Sequence, residues 1–302
     1  MSAPSAPIRF VKGHGTENDF VLLFDPERAL DLTPRLVAAI CDRRAGIGGD
    51  GVLRVVLAAT DPEGAPMSDR ARWFMDYRNA DGSVASMCGN GLRVFARYLV
   101  DNYLEPAGEF EVATRAGLMP VRLGAIGAVT VDMGRYRLPE LPSLTVTANG
   151  RTWPATAVEV PNPHAVAVVD DLADPGELAE PPTVSPADAF SEGVNVEFVQ
   201  VKDDRQLIMR VHERGVGETR SCGTGACAAA VVLTGGAPGR TVVDVPGGRL
   251  TVTVLADRKV ELTGPAVLLT SGELDPAGLK GHLAPAGLTG HLDPAGLTGE
   301  PG

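Results

Sequence analysis

Along most of the chain, apolar and polar residues alternate over short runs, the period of a strand with one buried face. Residues 52–57, 73–77, 129–133, 165–169, 194–201, 207–211, 241–245 and 250–254 predict strands on this pattern. Gly247-Gly248 between the last two is a tight hairpin signal. Three stretches switch to helical spacing. Thr33-Pro34 offers a capping hydroxyl and a proline at the first helical position, with Gly46 as a stop. After the string CGNG, Leu92, Phe95, Ala96 and Leu99 share one helical face, and Arg93 and Arg97 lie on another. Residues 226–233 are apolar all round, which predicts a centrally buried helix ending at Gly235-Gly236. Gly- and Pro-rich stretches at 61–69, 136–154 and 174–188 predict surface loops. Strands outnumber helices without alternating regularly with them, so the expected class is mixed α+β.

Composition narrows the partners. The 302 residues are 44% hydrophobic and carry a formal net charge of −11. That balance argues against a nucleic-acid groove or an anionic membrane surface as partner. No apolar run approaches the roughly 18 residues of a membrane helix, and the start MSAPSAPIRFVKG has no signal-peptide core. A cytoplasmic protein is expected, and its four cysteines should be reduced thiols rather than a disulfide scaffold. From Asp275 the chain becomes a short near-repeat, DPAGLKGHL, APAGLTGHL, DPAGLTGEPG. It has too few apolar groups to repay its ordering entropy, so 275–302, with His282 and His291, is expected to be a disordered tail.

The strings CGNG (88–91) and CGTG (222–225) carry the chemistry. Each sets a cysteine beside a Gly-x-Gly turn where a helix begins, next to free N–H groups and the positive end of the helix dipole, which favours a thiolate. Either could be a nucleophile, an anion cradle or a buried cap. Two in one chain suggest a loose duplication and facing thiols across a pseudo-twofold cleft. Cys41 and Cys227, inside apolar helical runs, are packing residues. A Cys222/Cys227 metal pair lacks ligand spacing and a histidine partner, so no metal is expected.

Short polar strings add candidates: Asn18 in GTENDFV, Asn79 in YRNADGS, Asn162 and His164 in PNPH, and Asn195 in GVNVEF. Each asparagine alone reads equally well as a turn residue. Glu213 and Arg214 in HERGVGETRSCGTG precede Cys222 closely, and an arginine there offers a bidentate fork to a carboxylate, or forms a surface ion pair. His14 lines a site or caps a turn; His212 reads as structural. GIGGDG at 46–51 matches a dinucleotide fingerprint formally but follows a helix and precedes a strand, the reverse of the required order.

Together HGTENDFV, NADGSVASMCGNGLRVFAR, PNPHAV, NVEFVQV and ERGVGETRSCGTGACAA resemble diaminopimelate epimerase, in order from about Lys12 to about Gly272. The resemblance implies a cofactor-free epimerase that interconverts L,L- and meso-2,6-diaminopimelate in lysine and peptidoglycan precursor synthesis. It implies two similar domains, each a curved mixed sheet wrapped on a central helix, with the active site in the cleft between them and a homodimeric assembly. The domains would be 1–130, with a returning strand at about 265–274, and 131–264. By matching motif positions, Cys88 and Cys222 would be the paired base and acid, with His164 and Glu213 supporting them. Asn18, Asn79, Gly89, Asn90, Asn162, Asn195, Glu213, Arg214, Gly223 and Thr224 would hold the substrate.

The chemistry of these residues agrees. Inverting a carbon without a cofactor needs a base on one face and a proton donor on the other. Two opposed thiols supply both. A pyridoxal enzyme would need a Schiff-base lysine, and Lys12, Lys202, Lys259 and Lys280 lie outside the polar strings named above, apart from Lys12 at their edge. Many relatives carry Gln at the position of Gly51 and Gly at that of Glu17. The alternatives are a two-thiol proline or hydroxyproline racemase, and a non-catalytic binding module of the same fold. The module has no use for two placed cysteines.

Overall fold

A computed structural model describes residues 6–124, 126–141 and 143–279. Its first half runs β1 (Ile8–Gly15), β2 (Asn18–Phe24), α1 (Pro34–Cys41), β3 (Gly51–Leu57), β4 (Trp73–Asn79), α2 (Gly89–Asp101), β5 (Gly108–Thr114), β6 (Gly117–Leu123) and β7 (Val129–Arg135). The second runs β8 (Thr145–Ala148), β9 (Arg151–Glu159), β10 (Pro163–Val168), β11 (Thr183–Ser185), β12 (Asn195–Asp203), β13 (Gln206–Glu213), β14 (Gly217–Thr219), α3 (Gly223–Thr234), β15 (Gly239–Val245), β16 (Gly248–Val254) and β17 (Lys259–Gly264). β18 (Val267–Leu274) then returns to pair antiparallel with β1.

The two halves repeat one pairing scheme. β1–β2 is antiparallel, β2–β3 parallel, β3–β4 antiparallel, β4–β5 parallel, and β5–β6 and β6–β7 antiparallel. β9–β10, β10–β12, β12–β13, β13–β15, β15–β16 and β16–β17 follow the same order of senses. Each half carries its long helix at the same step, α2 between β4 and β5 and α3 between β13 and β15. The equivalent strands β7 and β17 pair with each other, which joins the two domains. The duplication legible in the paired cysteine strings is therefore a duplication of the fold.

Each sheet curls round its helix because the helix has little polar surface to offer water. In α3 every residue from Ala226 to Val231 is buried, and the helix ends in left-handed Gly235. In α2 burial extends to the face carrying Arg93 and Arg97, where the sequence pattern separates it from the apolar stripe. Those guanidiniums find acceptors inside: Arg93 donates to Pro265 O (2.5 Å), Asn90 Oδ1 (2.6 Å) and Thr16 Oγ1 (3.2 Å), with only its Nε left without a partner among the described residues, and Arg97 donates to Gly127 O (2.9 Å). Fully burying one Leu, Val or Phe contributes about 1.5–3 kcal/mol, and Leu92, Val94, Phe95 and Leu99 are all at 0% exposure. One apolar core packs both helices.

Three expectations need correction. α1 starts at Pro34 with Thr33 Oγ1 accepting from Leu36 N (3.2 Å), but it ends at Cys41 rather than Gly46. The Asp42 carboxylate accepts from Arg44 N and Ala45 N, which turns the chain away at once. The expected loops at 136–154 and 174–188 contain β8, the start of β9, and β11, which pairs with β8. Asn149-Gly150, a hairpin dipeptide, makes the β8–β9 turn with both residues at positive φ. The first residues of the expected tail are ordered: Pro276–Leu279 forms a 3-10 turn, and Leu279, 2% exposed, packs with Ile8, Val21 and Leu36. His282, His291 and the rest of 280–302 lie outside the described residues.

Candidate active site

Cys88 is the N-cap of α2 and Cys222 the N-cap of α3. Cys88 Sγ accepts from Gly91 N and Cys222 Sγ from Gly225 N, each at 3.4 Å. The spacing puts the last glycine of each CGxG string, three residues after the cysteine, where its amide points back at the thiol. The two openings meet. Asn90, in the first turn of α2, donates to Ser221 O (3.1 Å), the residue before Cys222. A Cβ on Gly223 would stand 3.2 Å from Asn90 Oδ1.

Burial works against the helix N-termini at both thiols. Burial pushes the Cys88 thiol up to about 11, and the Glu213 charge adds to this against the N–H groups and Arg93. Cys222, 5% exposed, is raised well above its ordinary value by burial, then by Glu213 and Glu197. Desolvation of the charged form outweighs the dipole at both sites. Glu213 itself is raised by burial. Its Oε1 accepts from Thr219 Oγ1 (2.5 Å). Its charge bears on both thiols.

The asparagines divide. Asn18 Oδ1 takes the Cys88 S–H (3.7 Å) and Asn90 Nδ2 (3.2 Å), and its own Nδ2 donates to Asp50 (2.7 Å). Asp50, from the GIGGDG string, is held by Arg43 (2.7 Å), so that string supplies the acceptor that holds Asn18. Asn195 Oδ1 accepts from Arg214 N (2.9 Å) and so fixes the backbone that carries Arg214. The Arg214 guanidinium is exposed and donates to Glu192 O (2.8 Å), without the surface carboxylate partner considered from sequence. Asn79 Nδ2 is bonded to Ser83 within its own turn. Thr224 Oγ1 lies 3.4 Å from Cys222 Sγ. A Cβ on Gly89 would press on the Met133 methyl at 2.8 Å.

His164 is fully buried, with its ring nitrogens facing Glu197 Oε1 (2.6 Å) and Asn162 Oδ1 (3.2 Å) rather than a thiol. His14 Nδ1 accepts from Glu17 N (3.2 Å) and caps the β1–β2 turn; His212 is buried. Cys41 and Cys227 are buried packing residues. Sequence reading missed Glu197, Arg93, Thr16 and Ser221. Thr16 Oγ1 and Ser221 Oγ lie 2.6 Å apart and bridge the domains next to Arg93. Both departures from the resemblance have a structural setting. A Cβ on Gly51 would stand 2.5 Å from Arg78 O and 2.8 Å from the Tyr77 ring, so a Gln does not fit here without movement. Glu17 sits at φ +62°, a glycine-favouring conformation, and pairs with Arg220.

Among solved structures, the fold is similar to a phenazine biosynthesis protein of the PhzF family from Bacillus anthracis (TM-score 0.65, 14% identity, 89% of this chain and 99% of that one). It is also similar to a hydroxyproline epimerase from Agrobacterium vitis (TM-score 0.61, 18% identity, 92% and 95%). Sequence relatives are nearer. A diaminopimelate epimerase from Streptomyces coelicolor is 55% identical over 92% of this chain and 99% of its own length. One from Thermobifida fusca is 49% identical over 90% and 100%. The family model for diaminopimelate epimerase matches residues 10–139 and 156–269. The chain belongs to the diaminopimelate epimerase family.

Proposed function

We propose that this chain is a cofactor-independent isomerase that interconverts L,L- and meso-2,6-diaminopimelate by proton transfer between Cys88, Cys222 and one α-carbon. The observation that carries the reading is the equivalence of the two thiols. Each caps the long helix of one repeat, and the two caps are tied together through Asn90 and Ser221. In this reading the domains are 1–130 with the returning strand at about 265–274, and 131–264, with the substrate between them. A homodimer in the cytoplasm is the assembly and location that go with it.

One thiol, as thiolate, takes the α-proton from one face while the other, protonated, delivers to the opposite face; the roles exchange with direction. The charge that develops on the substrate carboxylate falls to the N–H groups that open α2 and α3, together with Thr224. Arg214, its guanidinium paired with no carboxylate among the described residues, grips a substrate carboxylate, and Asn18, Asn79, Asn162 and Asn195 fix the remaining amino-acid groups. Glu213 accepts a thiol proton, a role that fits a carboxyl already raised by burial whose charge bears on both Cys88 and Cys222.

Incubation with L,L-diaminopimelate in deuterated water tests the reading. NMR should show meso product with deuterium at a single inverted α-carbon, and no exchange into L-proline. Exchange into L-proline but not diaminopimelate would assign the chain to the two-thiol racemases instead.

A further inference from the structure

The pseudo-twofold symmetry of the site is broken at one buried pair. In the first half Phe20 pairs with Gly51 across β2–β3, and Phe20 and Leu53 close on Gly91 of the α2 opening. In the second, His164 pairs with Asn195 across β10–β12, and the residue equivalent to Leu53 is Glu197. The apolar pair behind Cys88 is thus matched by an imidazole and a carboxylate behind Cys222. Both are at 0% exposure, 2.6 Å apart.

Glu197 lies against the start of α3. Its Oε1 stands 2.7 Å from where a Cβ on Gly225 would be, so only a glycine admits the carboxylate there. Gly225 N–H is given to Cys222 Sγ and not to Glu197, and Glu197 Oε2 has no hydrogen-bond partner among the described residues. A buried carboxylate with an idle oxygen is a costly feature that the fold does not need, since Leu53 fills the same place in the other half. Its negative end faces a helix N-terminus whose positive potential would otherwise stabilise a Cys222 thiolate. The charged groups facing Cys222 are Glu197 from β12, Glu213 from β13, and His164 from β10 behind Glu197. Facing Cys88 are Glu213 and, within α2, Arg93.

We propose that Glu197, paired with His164, is a positioning residue that differentiates the two thiols and keeps Cys222 in its neutral, proton-carrying form in the substrate-free protein. This rests on the reading of Cys222 as an acid/base group, but its consequence is a property of the thiol alone. Glu197 need not touch substrate.

Alkylation by iodoacetamide, followed for each cysteine peptide by mass spectrometry across pH, reads thiolate formation directly without substrate. In Glu197→Gln the midpoint for Cys222 should move down by at least one pH unit, a tenfold gain in thiolate below it, with that of Cys88 unmoved. A change in access alone would scale the Cys222 rate equally at all pH and leave the midpoint in place. The double variant His164→Phe with Glu197→Leu, which installs the pair that already packs in the first half, should show the same shift. An unshifted Cys222 midpoint in a folded variant, or equal shifts at both cysteines, would overturn the proposal. Failure to epimerise diaminopimelate with the Cys222 shift intact would instead fault the functional reading.

Discussion

Asn90 Nδ2 donates to the backbone carbonyl of Ser221 at 3.1 Å, which ties the first turn of one domain's helix to the residue before the other domain's thiol. The same carboxamide holds Asn18 at 3.2 Å and receives the buried Arg93 at 2.6 Å. One side chain therefore links the two caps and gives an acceptor to a buried guanidinium that has no carboxylate partner among the described residues.

Asn90→Ala should reduce both activity and stability. Removing the carboxamide leaves Arg93 short of an acceptor and Ser221 O short of a donor, each buried. An unmade buried hydrogen bond costs about 1–3 kcal/mol, so the urea midpoint should fall by a corresponding amount, with kcat/KM down at least about tenfold. A variant with normal stability would show that the β7–β17 pairing and the Thr16–Ser221 bridge hold the domains without Asn90.

Stability should fall at alkaline pH. Burial raises Cys88 to about 11 from an ordinary 9.0, and it raises Cys222 as well. Above pH about 9 the unfolded chain releases thiol protons that the folded protein retains, so folding is opposed as pH rises toward 11. Denaturation at pH 8 and pH 10.5 checks the sign. Cys88→Ala and Cys222→Ala should each lose part of the alkaline drop, and an identical drop in both variants would place its source elsewhere.

The paired cysteines, the central apolar helix and the α+β class were legible because each rests on short-range pattern. Cys-Gly-x-Gly before an apolar run specifies a helix start, and no tertiary information is needed to find Cys88 or Cys222. Glu197 was not legible. In NVEFVQV it occupies a position that strand alternation alone cannot assign to core or solvent. Its meaning comes from His164 on a neighbouring strand and Gly225 on a helix, contacts distant in sequence. Arg93 failed for the reverse reason. Helical spacing separates it from the apolar stripe, and only a sheet that wraps the helix on all sides buries that second face. Asn149-Gly150 carried a hairpin signal in plain view, overridden by the Gly and Pro content around it.

Arg214→Lys keeps the charge and loses the planar fork. If the guanidinium grips a substrate carboxylate, kcat/KM should fall at least about tenfold, roughly 1.4 kcal/mol of transition-state stabilisation. The melting temperature should hardly move, because the exposed side chain makes one bond to Glu192 O and no ion pair. Normal turnover in the variant would return carboxylate binding to the helix N-termini.

The two-thiol account is tested most directly by Cys88→Ala and Cys222→Ala, each assayed for epimerisation of L,L-diaminopimelate and for the return from the meso form. Each variant should keep its fold by circular dichroism and lose epimerisation in both directions, because either loss leaves one face of the α-carbon without its proton carrier. Near-wild-type inversion by either folded variant would contradict it.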